Sequence, residues 1–88
     1  MANPKYFIIQ GWSTAITPSD TVDVNFKWSD GWQIDAPGAL TLMFKDGSSR
    51  TWNNLVKFDH GFGDIKRVMS TGTTVAADNI YLFSVGIQ

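Results

Sequence analysis

Every acidic residue in this chain is an aspartate: there are eight, and glutamate does not occur. Glutamate sits comfortably inside helices, whereas aspartate competes with the backbone for hydrogen bonds and settles in turns and caps. Helices therefore lack their usual carboxylate here. Val, Ile and Thr together number 21 against only four Leu, and β-branched side chains favour the pleated, half-buried surface of a strand. The sequence thus predicts an all-β fold with Asp and Gly at its turns. Its 88 residues fit a single domain, residues 1–88, with one hydrophobic core.

Turn signals recur roughly every 8–14 residues, the spacing of an antiparallel β-sandwich or small β-barrel of about six to seven strands. Residues 6–10 read as a first strand, apolar without a break from Tyr6 to Ile9. Residues 13–20 read as a loop. Residues 21–28 alternate most cleanly, with Val22, Val24, Phe26 and Trp28 on one face and Asp23, Asn25 and Lys27 on the other, which predicts a half-buried strand. Ser29-Asp30-Gly31 fits a three-residue hairpin loop that sets Trp28 opposite Trp32. The return strand stops at Pro37-Gly38.

Leu40, Leu42 and Phe44 then share a core face, and Asp46-Gly47 signals the next hairpin. Its register is open between two states. One places Trp52 opposite Thr41 on the outer face. The other places it opposite Leu42 in the core, because one residue of slip exchanges the faces. Residues 55–58 read as strand or a short helical turn, 59–64 as a loop, 65–70 as a strand and 79–87 as the last strand. The first and last strands are apolar on both faces. A two-layer domain buries only one face of each sheet, so the second face calls for a partner, and a homo-oligomer is expected.

The chain has no cysteine and one histidine, which leaves no thiolate nucleophile and no zinc ligand set. His60 beside Asp59 lacks a nucleophile-elbow pattern, and no catalytic residue is assigned. No metal site and no cofactor are assigned either. Asp59 and Asp64 flank a glycine-bearing loop, which is where a calcium ion would be sought. The net charge of −1 argues against nucleic acid as a partner. His60-Gly61-Phe62-Gly63-Asp64-Ile65 looks like the cold-shock and RRM signature, but Asp64 stands where the second base-stacking aromatic belongs. No apolar run approaches the ~18 residues that span a bilayer, and no signal peptide is recognisable. Membrane insertion is not expected; a cytoplasmic protein is, with release by another route open.

Four tryptophans carry the functional expectation. An exposed indole offers a flat apolar face to the C–H side of a sugar ring, while nearby Asp, Asn and Arg hold the hydroxyls. Trp32 with Asp30 marks one hairpin tip. Asp46, Arg50, Trp52 and Asn53 mark the next. Trp12, Trp32 and Trp52 are the candidate platforms and Asp30, Asp46, Arg50 and Asn53 the candidate polar partners for a glycan. Against this, Trp28 and Trp32 lie in phase with the buried face and would serve equally as core caps. The leading expectation is a non-enzymatic, lectin-type binding module whose weak sites gain avidity in an oligomer. The alternative is a structural assembly protein of viral, phage or similar kind. A third reading is a protein-binding inhibitor.

Overall fold

The computed structural model describes residues 7–26 and 28–87. Among these, seven strands form two antiparallel sheets: β1 Phe7–Trp12, β2 Gly31–Ile34, β3 Gly38–Phe44, β4 Ser49–Leu55, β5 His60–Phe62, β6 Ile65–Met69 and β7 Ile80–Ile87. The first sheet has the order β1-β7-β2-β5 and the second β4-β3-β6. The first sheet turns Trp32, Ile34, Ile80 and Leu82 inward, and the second supplies Leu40, Leu42, Ile65 and Val68. The architecture is the expected all-β sandwich.

The β3–β4 hairpin resolves the open register. Phe44 N donates to Ser48 O at 2.8 Å and Gly47 N to Phe44 O at 2.9 Å, closing a three-residue loop whose Gly47 has φ +91°. That conformation is the left-handed one this loop requires. Trp52 faces Leu40, so it lies on the core face, but one pair removed from the expected partner Leu42. Its ring centroid is 5.3 Å from that of Trp32 and 6.3 Å from that of Phe44. The two tryptophans thereby join the sheets.

Residues 21–28 are not the regular strand that their alternation predicts; Lys27, within that span, lies outside the described residues, as does Tyr6 of the first predicted strand. The segment runs beside β6 with isolated backbone bonds, Ser19 N to Val68 O and Val24 N to Lys66 O, each 2.9 Å. Side chains replace the ladder. Arg67 Nε and Nη2 donate to Asp23 Oδ1 at 2.9 and 2.7 Å, and Arg67 Nη1 donates to the Asp20 carbonyl at 2.9 Å. Val24 and Phe26 still pack on the core, which accounts for the alternation. Such side-chain bonds offer the backbone an alternative to a ladder.

The expected 29–31 hairpin is also absent, and Trp28 is exposed rather than facing Trp32. Long-range bonds carry the chain forward instead of back. Asp30 N donates to Phe83 O at 2.9 Å, Gly63 N to Asp30 O at 2.8 Å and Ile65 N to Ser29 O at 3.0 Å. Strand β2 is thereby threaded between β7 and β5. The predicted 59–64 loop contains β5, and residues 56–59 form a turn.

Gly31 fixes this threading. A β-carbon there would lie 2.2 Å from Phe83 Cζ and 2.8 Å from the Gly61 carbonyl oxygen. At Gly11 the nearest atom would be Ser84 Oγ at 3.3 Å. Urea denaturation of Gly31→Ala is therefore expected to show a loss of about 2–3 kcal/mol, in the range of core overpacking, and Gly11→Ala a loss below about 1 kcal/mol. Equal effects would show that Phe83 yields without cost.

Candidate functional site

Register places one continuous aromatic row across the outer face of the first sheet. Trp12 pairs with Phe83, Phe83 with Gly31, and Gly31 with Phe62. Because Gly31 has no side chain, the Phe83 ring lies over it. It meets Trp12 edge-on at 5.2 Å and Phe62 edge-on at 5.7 Å, both within the favoured range for T-shaped pairs. Phe83 is only 2% exposed, while Trp12 is 47% and Phe62 60% exposed. The outer row therefore covers its own centre and leaves two rings in solvent. Ile9, paired with Val85 on the same face, is also exposed. Ile9, Trp12, Phe62, Phe83 and Val85 carry no charge, and this is the second apolar face anticipated for the terminal strands.

The next row down the face is polar. Gln33 pairs with Tyr81 on one side and His60 on the other. Trp12, Ser13, Gln33, Asp35 and Tyr81 line a hollow of about 310 Å³. Tyr81 Oη donates to the Asp78 carbonyl at 3.3 Å. Gln33, Asp35 and Tyr81 were not among the residues anticipated from the sequence. Their signal lay in the two-residue spacing of 33 and 35, hidden because the long-range pairing of β2 with β7 was not foreseen.

The anticipated glycan-binding residues are dispersed. Trp12 alone combines an exposed ring with a polar hollow. Trp32 is 2% exposed and offers no face to a ligand. Its Nε1 is buried without a hydrogen-bond partner, and a β-carbon at Gly61 would lie 2.7 Å from that atom. Trp52 is half-buried between Trp32 and Phe44, with the Arg50 guanidinium 5.3 Å from its ring centroid. Asn53 lies on the other face of β4, in a shallow groove with Pro37, Gly38 and Thr74. Asp30 is engaged internally, its Oδ2 accepting from Val85 N at 2.9 Å. Asp46 Oδ1 accepts from Ser48 N and Oγ at 2.9 and 2.6 Å, so it shapes its own turn.

Those bonds fix the local electrostatics. The Ser48 hydroxyl, then the Ser48 amide, hold the Asp46 carboxyl below the usual aspartate range. The Thr71 hydroxyl and amide do the same for Asp20. Asp59 Oδ2 accepts from Val56 N at 2.8 Å, and β5 separates it from Asp64 by a span of about 16 Å if extended. The loop where a calcium ion would be sought is thus divided by a strand. Among the described residues no three His, Cys, Asp or Glu side chains gather as a metal site, and no helix is long and apolar enough to cross a membrane.

The outer aromatic face lies on a two-sheet antiparallel sandwich. No protein-family model and no curated protein sequence matches the chain. The fold is similar to that of a chain in a solved structure described as the capsid of a native GTA particle computed with C5 symmetry. The TM-score is 0.70 at 23% sequence identity, over 88% of this chain and 84% of that one. At that identity the likeness is one of fold.

A depressed carboxyl value in the folded state contributes stability above the ordinary aspartate value of 3.8. That contribution is lost as pH falls through the folded-state value. Asp20→Asn is accordingly expected to lower the melting temperature at about pH 7, with the gap to wild type narrowing as pH falls below the ordinary aspartate value of 3.8. A gap independent of pH would show that Asp20 acts through shape rather than charge.

Proposed function

We propose that this chain is a non-enzymatic structural subunit of a protein assembly and associates with copies of itself. The observation that carries the reading is the uncharged apolar row on the outer face of the first sheet, which exposes Ile9, Trp12 and Phe62. Contiguous exposed apolar surface of this kind marks a contact site. The similarity of fold to a capsid chain supports the same reading. Nothing in the hydrogen-bond arrangement around His60 favours catalysis, its Nδ1 lying 3.4 Å from the Phe58 carbonyl. In this reading the subunit is cytoplasmic until it assembles.

Sedimentation velocity over a concentration series tests it. Wild type is expected to associate reversibly. Ile9→Lys combined with Phe62→Lys is expected to raise the dissociation constant at least about tenfold, since each large apolar side chain contributes roughly 1.5–3 kcal/mol on burial. Unchanged circular dichroism would confirm that the doubly substituted chain remains folded. A wild-type monomer up to about 1 mM would overturn the reading.

The hollow beside Trp12 favours a second reading, a carbohydrate-binding module. The indole is half exposed, and Gln33 and Asp35 line the same hollow. An apolar platform with a few placed polar groups is the composition of a small-ligand site. A glycan array should then return a coherent set of ligands, and Trp12→Ala should weaken binding of those ligands at least about tenfold. A blank array would remove this reading and leave the assembly reading intact.

A further inference from the structure

Strands β1 and β7 run on past the rest of their sheet. Strand β2 pairs with β7 only over Ile80–Phe83, whereas β1 pairs with β7 as far as Ile87. The Asp30 carboxylate closes the β2 side of β7 just beyond that ladder, its Oδ2 accepting from Val85 N at 2.9 Å. Residues 7–9 and 85–87 therefore form a two-stranded ribbon. Ile8 and Ile9 are 38% and 47% exposed. Successive residues of a strand point to opposite faces, so neither face of the ribbon is closed. Two strands alone are marginal in water, and a third gives independent stability.

The direction of the backbone groups shows where that third strand belongs. Phe83 O accepts from Asp30 N at 2.9 Å and Val85 N donates to Asp30, so both residues address the β2 side of β7. Leu82 addresses the other side: its O accepts from Ser13 N at 2.8 Å and its N donates to Ser13 Oγ at 2.9 Å. Direction alternates along a strand, and Ser84 and Gly86 therefore turn toward their partners Gly11 and Ile8. Ile9 and Trp12 pair with Val85 and Phe83, so their N–H and C=O groups point away from β7, to the open side of the sheet. Among the described residues none bonds them there. An extended row of donors and acceptors is matched by another strand.

We propose that β1 of one copy pairs antiparallel with β1 of a second copy, joining two four-stranded sheets into one of eight strands. The pairing rests on the assembly reading above and gives that reading its contact geometry. The other edges single out the occupant. Strand β5 is three residues long, β4 carries Arg50 and a left-handed Asn54, and β6 is lined by the 19–24 segment. Among the described residues β1 is the one edge that is both six residues long and free of charge. The strand of a second copy that matches it is therefore β1 itself. A two-fold axis normal to the sheet makes the contact self-complementary and its strands antiparallel. The same axis keeps both outer faces on one side, so the exposed Ile9 and Trp12 of each copy lie alongside those of the other. Each ribbon gains its third strand in that step.

Amide hydrogen exchange read by NMR over a concentration series tests the pairing. In concentrated protein the Ile9 and Trp12 amides are expected to exchange at least about tenfold more slowly than in dilute protein, while the buried Leu82 amide stays protected throughout. Ile9→Pro removes an outward N–H, a change that an edge strand tolerates. It should weaken association at least about tenfold more than Ile9→Ala, which keeps the amide, because a symmetric dimer loses two hydrogen bonds. The chain has no native cysteine, so a nitroxide can be placed by Thr14→Cys at an exposed position. Antiparallel pairing should hold two such labels more than about 20 Å apart, against roughly 5–10 Å for parallel strands in register. If wild type sediments as an oligomer but the Ile9 and Trp12 amides exchange fast at every concentration, or the labels lie close, or folded Ile9→Pro and Ile9→Ala associate alike, edge pairing fails and the assembly reading stands. Should Ile9→Pro unfold, the amide exchange decides. If wild type is a monomer throughout, the assembly reading itself fails and the pairing falls with it.

Discussion

A β-carbon at position 31 would overlap the ring of Phe83, and the surface of the first sheet depends on that carbon being absent. Phe83 belongs to β7, whose neighbours are β1 and β2. Lying across Gly31, its ring reaches Phe62 on β5 while its other edge meets Trp12 on β1. All four strands are thus fastened on the outside by one aromatic row, independently of the core beneath. The same threading sets Trp32 on the inner side, where Gly61 makes room for the indole and Trp52 meets it from the second sheet. Two missing side chains, one at Gly31 and one at Gly61, therefore serve the outer and inner faces of the sheet.

This arrangement explains which parts of the fold the sequence discloses. Patterns that need only neighbours in the chain are readable. The 39–54 hairpin carries its apolar alternation and its Asp46-Gly47 loop within a few residues of one another, and it forms as a hairpin. Strands β6 and β7 likewise begin and end close to where alternation and turn residues put them. Patterns whose partner is distant are not readable. Ser29-Asp30-Gly31 has the composition of a hairpin loop, but its backbone is held by Phe83, Gly63 and Ile65. Residues 21–28 alternate because Val24 and Phe26 reach the core, while Arg67 bonds Asp23 and the Asp20 carbonyl where ladder bonds were expected. Half-burial produces the same alternation with a ladder or without one.

The candidate site was legible to a similar degree. The apolar second face of the terminal strands followed from the sequence, because a two-layer domain has no interior for it. The tryptophan and aspartate pairings did not follow. Several aspartates are occupied within the fold: Asp20 by Thr71, Asp23 by Arg67, Asp30 by Val85, Asp46 by Ser48 and Asp59 by Val56. The composition that first indicated an all-β chain thus reflects turn and edge chemistry more than ligand chemistry. Asp35 differs in facing the hollow beside Trp12, a position set by the pairing of β2 with β7.

The edges of the sandwich bear on association as much as its face does. A strand at a sheet edge presents unpaired backbone groups, which natural proteins guard with charge, shortness or bulges. Strand β5 is three residues long, and β4 carries Arg50 and ends at Asn54 and Leu55, with Asn54 at φ +59°. Strand β6 is lined by the 19–24 segment. Among the described residues strand β1 is guarded least: its six residues, Phe7–Trp12, include no charge, and its bulge lies between Ile9 and Gly11. The uncharged edge and the uncharged aromatic face therefore meet along the same strand. Guarding is kept where the chain closes on itself and relaxed where β1 borders the outer face. That distribution is the one expected of a subunit whose β1 side is covered by a neighbour, because an unguarded edge in a chain that stayed monomeric would be a standing route to aggregation.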